Sequence, residues 1–128
     1  MPKEVRTYDL EDRLIGFGVQ IIRLAESLPK TIAGNHIGCQ IVRSGTSPAP
    51  NYGEAQGAES RSDFIHKMRI CLKELRETRV WLLMTAKANL VESARELDPL
   101  IGQCNELISI FATSIKTARQ KSGATKRM

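Results

Sequence analysis

The side chains able to do chemistry are few in this chain, and their spacing argues against most reactions. Cys39, Cys71 and Cys104 are odd in number and more than thirty residues apart. With no C-x-x-C pair and no secretory-type leader at Met1-Pro2-Lys3-Glu4-Val5-Arg6, reduced thiols are expected rather than a disulfide framework. Zinc would need ligands from three distant segments plus His36 or His66, so no metal is expected; small buried thiols at helix contacts are. A di-iron centre needs two Glu-x-x-His pairs and two further Glu. Only Asp63-x-x-His66 approaches that pattern, and His36 has Ala33 three residues upstream. H-E-x-x-H, G-x-S-x-G and the phosphate-loop pattern are all missing. Gly16-Phe17-Gly18 is a bare G-x-G with no strand before it, so close packing explains it. Ser44-Gly45-Thr46-Ser47 has no evident histidine base and reads as local hydrogen bonding at a kink. These residues predict a non-enzymatic protein that holds no cofactor.

The remaining chemistry is charge. Five of the 19 basic residues, Lys116, Arg119, Lys121, Lys126 and Arg127, fall in residues 116–128, where there is no acid. The other 14 balance the 14 acids, so that last stretch carries the whole net charge of +5. Within the neutral part, residues 61–91 hold seven bases, Arg69, Lys73 and Arg76 among them, against three acids. Either a basic patch for a polyanion or solvated helix faces with a soluble tail would read this way.

The elements carrying these residues are helical by spacing. Behind an N-cap at Asp9, Leu10, Leu14, Phe17, Ile21, Leu24 and Leu28 follow at alternating steps of four and three, ended by Pro29. Leu97, Ile101, Cys104, Ile108, Phe111, Ile115 and Ala118 repeat the pattern. Two start signals precede that stripe: the Ser93/Glu96 capping box, favoured here, and Asp98-Pro99. Ile65, Met68, Leu72, Leu75 and Leu82 mark a third stripe, widened by Phe64 and Cys71. The segment 35–59 is rich in glycine and alanine and carries Pro48 and Pro50, each removing an amide donor, so a kink near 45–50 is expected. The prediction is an all-α, antiparallel up-down four-helix bundle with its second helix kinked near Pro48/Pro50. An arm at 1–8 precedes helices at about 9–28, 35–59, 62–88 and 93–119, and a flexible basic tail at 120–128 follows. A 128-residue chain with 41% hydrophobic residues suits one such domain. No apolar run reaches the ~20 residues needed to cross a bilayer, and a cytoplasmic protein is expected.

Val80-Trp81-Leu82-Leu83-Met84 would cover its helix all round, and Ile15, Val19 and Ile22 lie off the main stripe of the first helix. A helix apolar on every side is buried on every side, which predicts a homo-oligomer. Lys67, Ile70, Glu74, Glu77 and Trp81 form a second stripe, read as a subunit contact anchored by Trp81, with Val80 and Leu83 beside it. Arg79 falls on the core stripe and needs a carboxylate partner. Arg43, Asn51 and Glu54 are read as structural polar residues, Glu54 satisfying buried groups at the kink.

Gln40-Ile41-Val42-Arg43-Ser44-Gly45-Thr46-Ser47, then Asn51-Tyr52 and Glu54-Ala55, resemble the second-helix signature of the bacterial four-helix bundle proteins. Some members of that family are encoded in intervening sequences of 23S ribosomal RNA genes. The similarity continues through Ser62, Asp63-Phe64-Ile65, Lys67, Lys73-Glu74, Glu77-Thr78 and Trp81-Leu82. It closes with Asn105-Glu106-Leu107 and Ser114-Ile115-Lys116-Thr117-Ala118-Arg119, spanning roughly residues 10–119. Pro48 and Pro50 depart from the pattern, as does Gly53, which stands where a basic residue is common. The resemblance implies an antiparallel four-helix bundle assembling as a homopentamer. A related branch, the accessory proteins of diversity-generating retroelements, forms a pentameric barrel whose basic surface binds nucleic acid and a reverse transcriptase.

Two functions follow as expectations. The first is an oligomeric bundle binding RNA or DNA through phosphates, with Lys116, Arg119, Lys121, Lys126 and Arg127 leading and Arg69, Lys73 and Arg76 second. Aromatics are too sparse for base stacking, so that binding would be weakly sequence-specific and salt-sensitive. The second is an oligomeric scaffold for a partner protein, with a tail that only aids solubility.

Overall fold

The computed structural model describes the backbone of residues 2–127 and the side chains of residues 10–121. Helix α1 (Pro2–Ser27) opens on a proline, whose missing amide proton costs nothing in a first turn. No further proline interrupts it before Pro29. The segment expected as an arm is therefore continuous with the helix, and Asp9 lies inside α1 instead of capping it. Helix α2 (Ile32–Thr46) starts earlier than the expected residue 35, because Thr31 is its cap: the Gly34 amide donates to Thr31 Oγ1 at 3.0 Å. A Cβ on Gly34 would sit 2.0 Å from the Pro29 carbonyl oxygen, so the tight turn out of α1 requires glycine there.

The expected kink falls at Ser47. Helix α3 (Pro48–Gln56) begins with Pro48, and Ser47 keeps right-handed helical torsions, so the second helix bends without unravelling. Asn51 holds the bend: its side-chain amide donates to the Ser47 carbonyl at 3.0 Å and to Ser47 Oγ at 2.9 Å. Helix α4 (Arg61–Lys87) is capped by Ser60, whose hydroxyl accepts from the Asp63 amide at 3.0 Å. It ends in a Schellman-type turn: Leu90 N–H donates to the Thr85 carbonyl and Asn89 N–H to that of Ala86, with Asn89 at φ 55°.

Both expected start signals for the last helix operate, in series. Ser93 caps a short 3-10 segment (Ala94–Leu97), and helix α5 (Asp98–Arg127) starts directly behind it with Pro99 in its first turn. The α5 backbone continues through residues 120–127, which the spacing had assigned to a tail; the side chains of Lys126 and Arg127 lie outside the described residues. No strand occurs among the described residues, and no helix there is long and apolar enough to cross a membrane.

With α2 and α3 counted as one bent helix, successive helices run antiparallel. Going down α1 from Ala25 to Ile21, the residues opposed on α2 rise from Gly38 to Gly45. Likewise Ser44, Pro48 and Glu54 meet Thr78, Cys71 and Lys67 in that order. On the last pair, the Cys104 thiol donates to the Leu75 carbonyl, while Phe64 and Arg61 share a cleft with Thr117 and Lys121. Among the described residues α1 touches α5 sparingly, and the Arg13–Glu106 ion pair at 2.9 Å straps that seam.

One core fills the bundle, with Leu14, Phe17 and Ile21 from α1, Ile41 from α2 and Tyr52 and Ala55 from α3. From α4 come Met68, Cys71, Leu75 and Leu82, and from α5 Leu100, Cys104, Leu107, Phe111 and Ile115. Two stripes are rotated from their expected faces. α5 buries Leu100 and Leu107 more deeply than Ile101 and Ile108, and α4 buries Cys71, at the edge of its expected stripe, more deeply than Leu72, and Thr78 where Arg79 was expected. A straight helix drifts against a strict heptad, and Ser44 and the Pro48 carbonyl meet Thr78 and Cys71 on the inner side of α4. The closest approach is at Gly45, where a Cβ would fall 2.7 Å from Ile21.

Candidate nucleic-acid interface and the polar seam behind it

The polar residues singled out in the sequence converge on the seam between the second helix and α4. Arg43 Nη1 donates to Glu74 Oε2 at 3.3 Å, and its Nη2 reaches Gln40 Oε1 at 3.2 Å and the Glu77 carboxylate. Trp81 Nε1 donates to Glu77 Oε2 at 3.0 Å, and the His36 ring meets the Trp81 indole edge-on at 5.9 Å. Further along, Lys67 Nζ pairs with Glu54 Oε1 at 2.7 Å. That ion pair raises the Lys67 pKa above its usual value. Deeper in, Thr78 Oγ1 lies 2.8 Å from Ser44 Oγ and 2.7 Å from the Glu74 carbonyl. Among the described residues, no buried side-chain nitrogen or oxygen lacks a partner.

Several expectations change here. The stripe Lys67–Glu74–Glu77–Trp81 faces the second helix of its own chain, because Arg43 and Glu54 supply opposite charges there. Arg79 is exposed and makes no ion pair among the described residues; the rotation of α4 puts Thr78 in the buried position instead. Glu54 is exposed and holds Lys67, while Asn51 satisfies the kink. Ser44 bonds across to α4 and not within the kink.

Two thiols are buried and one is not. Burial pushes both the Cys71 and the Cys104 thiols up to about 12, and their sulfurs donate to backbone carbonyls of Pro48 and Leu75. Cys39, expected to be buried, is exposed on the outer side of α2. No cluster of His, Cys, Asp or Glu able to hold a metal is present among the described residues.

Turning Glu74 and Glu77 inward has an electrostatic consequence. Arg69, Lys73 and Arg76, spaced four and three apart, share one exposed face of α4 from which those acids are absent. Lys116, Arg119 and Lys121 are exposed on α5. The chain thus presents basic surface on both helices, while its carboxylates nearest α2 and α3 are already paired.

Apolar surface is also left open. Val80 and Met84 are about half exposed, at 46% and 48%, and with Leu83 and Ile37 they line an open groove of about 540 Å³. On α1 the Ile15–Val19–Ile22 line is exposed as well. The sequence did not reveal a second feature, the cleft where the start of α4 meets the end of α5. Its only sequence signal was the antiparallel order of the last two helices, which places Arg61 beside Lys121.

No curated protein matches this chain. A solved structure does: a protein of unknown function from the S23 ribosomal protein family of Bacteroides thetaiotaomicron, at 32% identity. The match covers 84% of this chain and 98% of that one with a TM-score of 0.78, so the similarity extends over the whole bundle. Residues 7–113 match the family model described as 23S rRNA-intervening sequence protein, and the chain belongs to that family.

Proposed function

We propose that this protein is a non-enzymatic homo-oligomeric bundle that binds RNA or DNA weakly through phosphates. The observation that carries this reading is the sorting of charge on α4. Its carboxylates Glu74 and Glu77 turn in to Arg43, and Arg69, Lys73 and Arg76 are left together on the outer face. Lys116, Arg119 and Lys121 extend basic surface to α5, with Lys126 and Arg127 further along the same helix. Exposed cations release counterions when they meet phosphate, which gives affinity without sequence reading. The family's ribosomal-RNA name and the neighbour's ribosomal family name agree with that partner class.

Self-association is supported by the open apolar surface at Val80, Leu83 and Met84 and along Ile15, Val19 and Ile22. A homopentamer, the assembly implied by the resemblance, would repeat the basic faces and multiply weak contacts by avidity. Work in the bacterial cytoplasm, with no membrane and no cofactor, completes the proposal.

The test is titration of the full chain with single-stranded RNA across a salt series. Each phosphate engaged contributes about 0.7 to the slope of log affinity against log salt. Replacing Arg69, Lys73 and Arg76 with Ala, or Lys116 and Arg119 with Ala, should lower both affinity and slope. No binding of RNA or DNA at low salt would defeat this function. The exposed apolar groove at Ile37, Val80 and Met84 would then favour the second reading, a scaffold for a partner protein.

A further inference from the structure

Two surface lines on different helices share one spacing and carry opposite charge. On α1, Asp12, Ile15, Val19, Ile22 and Glu26 follow at alternating steps of three and four, and all five are exposed. On α4, Lys73, Arg76, Val80, Leu83 and Lys87 repeat the same steps; Leu83 is half-buried and the others are exposed. Each line is a stripe about 21 Å long, apolar toward its centre and charged at both ends. The α1 ends are acids and the α4 ends are bases. Met84 widens the apolar part on α4, where the groove beside Val80 and Leu83 can receive side chains from outside. Among the described residues, none of Asp12, Glu26, Lys73, Arg76 and Lys87 has an ion-pair partner.

We infer that the α1 stripe of one copy packs in register on the α4 stripe of a second copy. Val19 then meets Val80, and Ile22 meets Leu83 and Met84. Asp12 closes on Lys73 and Glu26 on Lys87, with the aliphatic stem of Arg76 laid over Ile15. The pairing is parallel. Both α1 and α4 run antiparallel to the second helix, so they share a direction within the chain. Copies turned about an axis along the bundle keep that shared direction. Neither stripe suits its own counterpart: α1 on α1 sets acid against acid, and α4 on α4 sets base against base, in either orientation. The contact is therefore heterologous, and since every copy offers both faces, assembly continues past two chains. This inference deepens the self-association in the proposed function and rests on it. Arg69, Lys116 and Arg119 lie outside the contact, and Lys73 and Arg76 stand at its rim.

The experiment weighs the full chain and its variants by light scattering. Val19→Lys with Ile22→Lys removes the α1 face, and Val80→Lys with Met84→Lys removes the α4 face. All four positions are exposed, and an unchanged helical spectrum identifies the folded variants. Each variant alone should fall from the parent mass to 14.3 kDa. Their equimolar mixture should form a complex of two chains and stop there, because only one intact pair of faces remains. Charge reversal tests the register without touching an apolar residue. Glu26→Lys and Lys87→Glu should each weaken association by about tenfold, and both together in one chain should restore it. A parent oligomer whose mass survives the α1 substitutions would overturn the contact and leave self-association standing. So would variants that fail to complement on mixing. A parent chain of 14.3 kDa would overturn the contact and the self-association together.

Discussion

At the scale of single residues, the thiols separate cleanly. Cys39 alone is exposed, so a native chain should react quickly with one equivalent of a thiol reagent, and with three only after unfolding. The buried pair also sets a pH dependence. Unfolded thiols ionise near 9.0 and the folded ones near 12, so between those values the folded chain binds more protons. Stability must then fall as pH rises through that window, with Tyr52, also raised by burial, adding to the fall above pH 10.0. Denaturation midpoints measured up to about pH 11 should show the decline, and Cys71→Ala with Cys104→Ala should flatten it. The hydroxyl pair gives a second contrast. Thr78→Val leaves Ser44 buried without its partner and should cost about 1–3 kcal/mol. Glu54→Ala breaks only an exposed ion pair and should change unfolding free energy by less than about 1 kcal/mol. Equal costs would mean that the seam is not buried as described.

At the scale of elements, the helices, the bend before Pro48 and the caps at Ser93 and Asp98 were readable from residue type and spacing. Proline chemistry and capping are local, so one sequence suffices to see them. The rotation of α4 was not readable. A heptad template puts Arg79 rather than Thr78 in phase with the core, whereas the contacts of Ser44 with Thr78 and of the Pro48 carbonyl with Cys71 turn that side of α4 toward the second helix. Arg43 and Asn51 were recognised as structural, but their partners depend on that rotation, as does the removal of Glu74 and Glu77 from the outer face. The cleft at Arg61 and Lys121 arises from pairing of distant segments and has no local signature at all. Gly45→Ala tests the close approach: a Cβ meeting Ile21 at 2.7 Å should destabilise the fold by about 1–3 kcal/mol. Gly53→Ala, with open space around it, should be neutral or stabilising by up to about 1 kcal/mol. In thermal melts the Gly45 variant should fall below the parent while the Gly53 variant stays level with it or rises.

At the scale of the whole molecule, exposed Val80, Met84, Ile15, Val19 and Ile22 predict association. Light scattering should give a mass several times 14.3 kDa, and Val80→Lys with Met84→Glu should bring it down toward the monomer while helicity is kept. Trp81→Ala acts differently, because Trp81 is tied to Glu77 and His36 within its own chain. It should lower the melting temperature first and alter the mass only in consequence.

The antiparallel order joined by short turns also bears on how the chain reaches this state. Each helix packs chiefly on its neighbour in sequence, α1 on α2, α3 on α4, and α4 on α5. Such locally connected topologies pay little loop-closure entropy before contacts form, and they fold in about microseconds to milliseconds. The seam between α1 and α5 joins the two ends of the chain and is thinly packed, so it closes last and opens first. Amide hydrogens facing that seam should exchange with solvent faster than those between α4 and α5. During synthesis the α1–α2 hairpin can therefore assemble before α5 emerges to close the bundle.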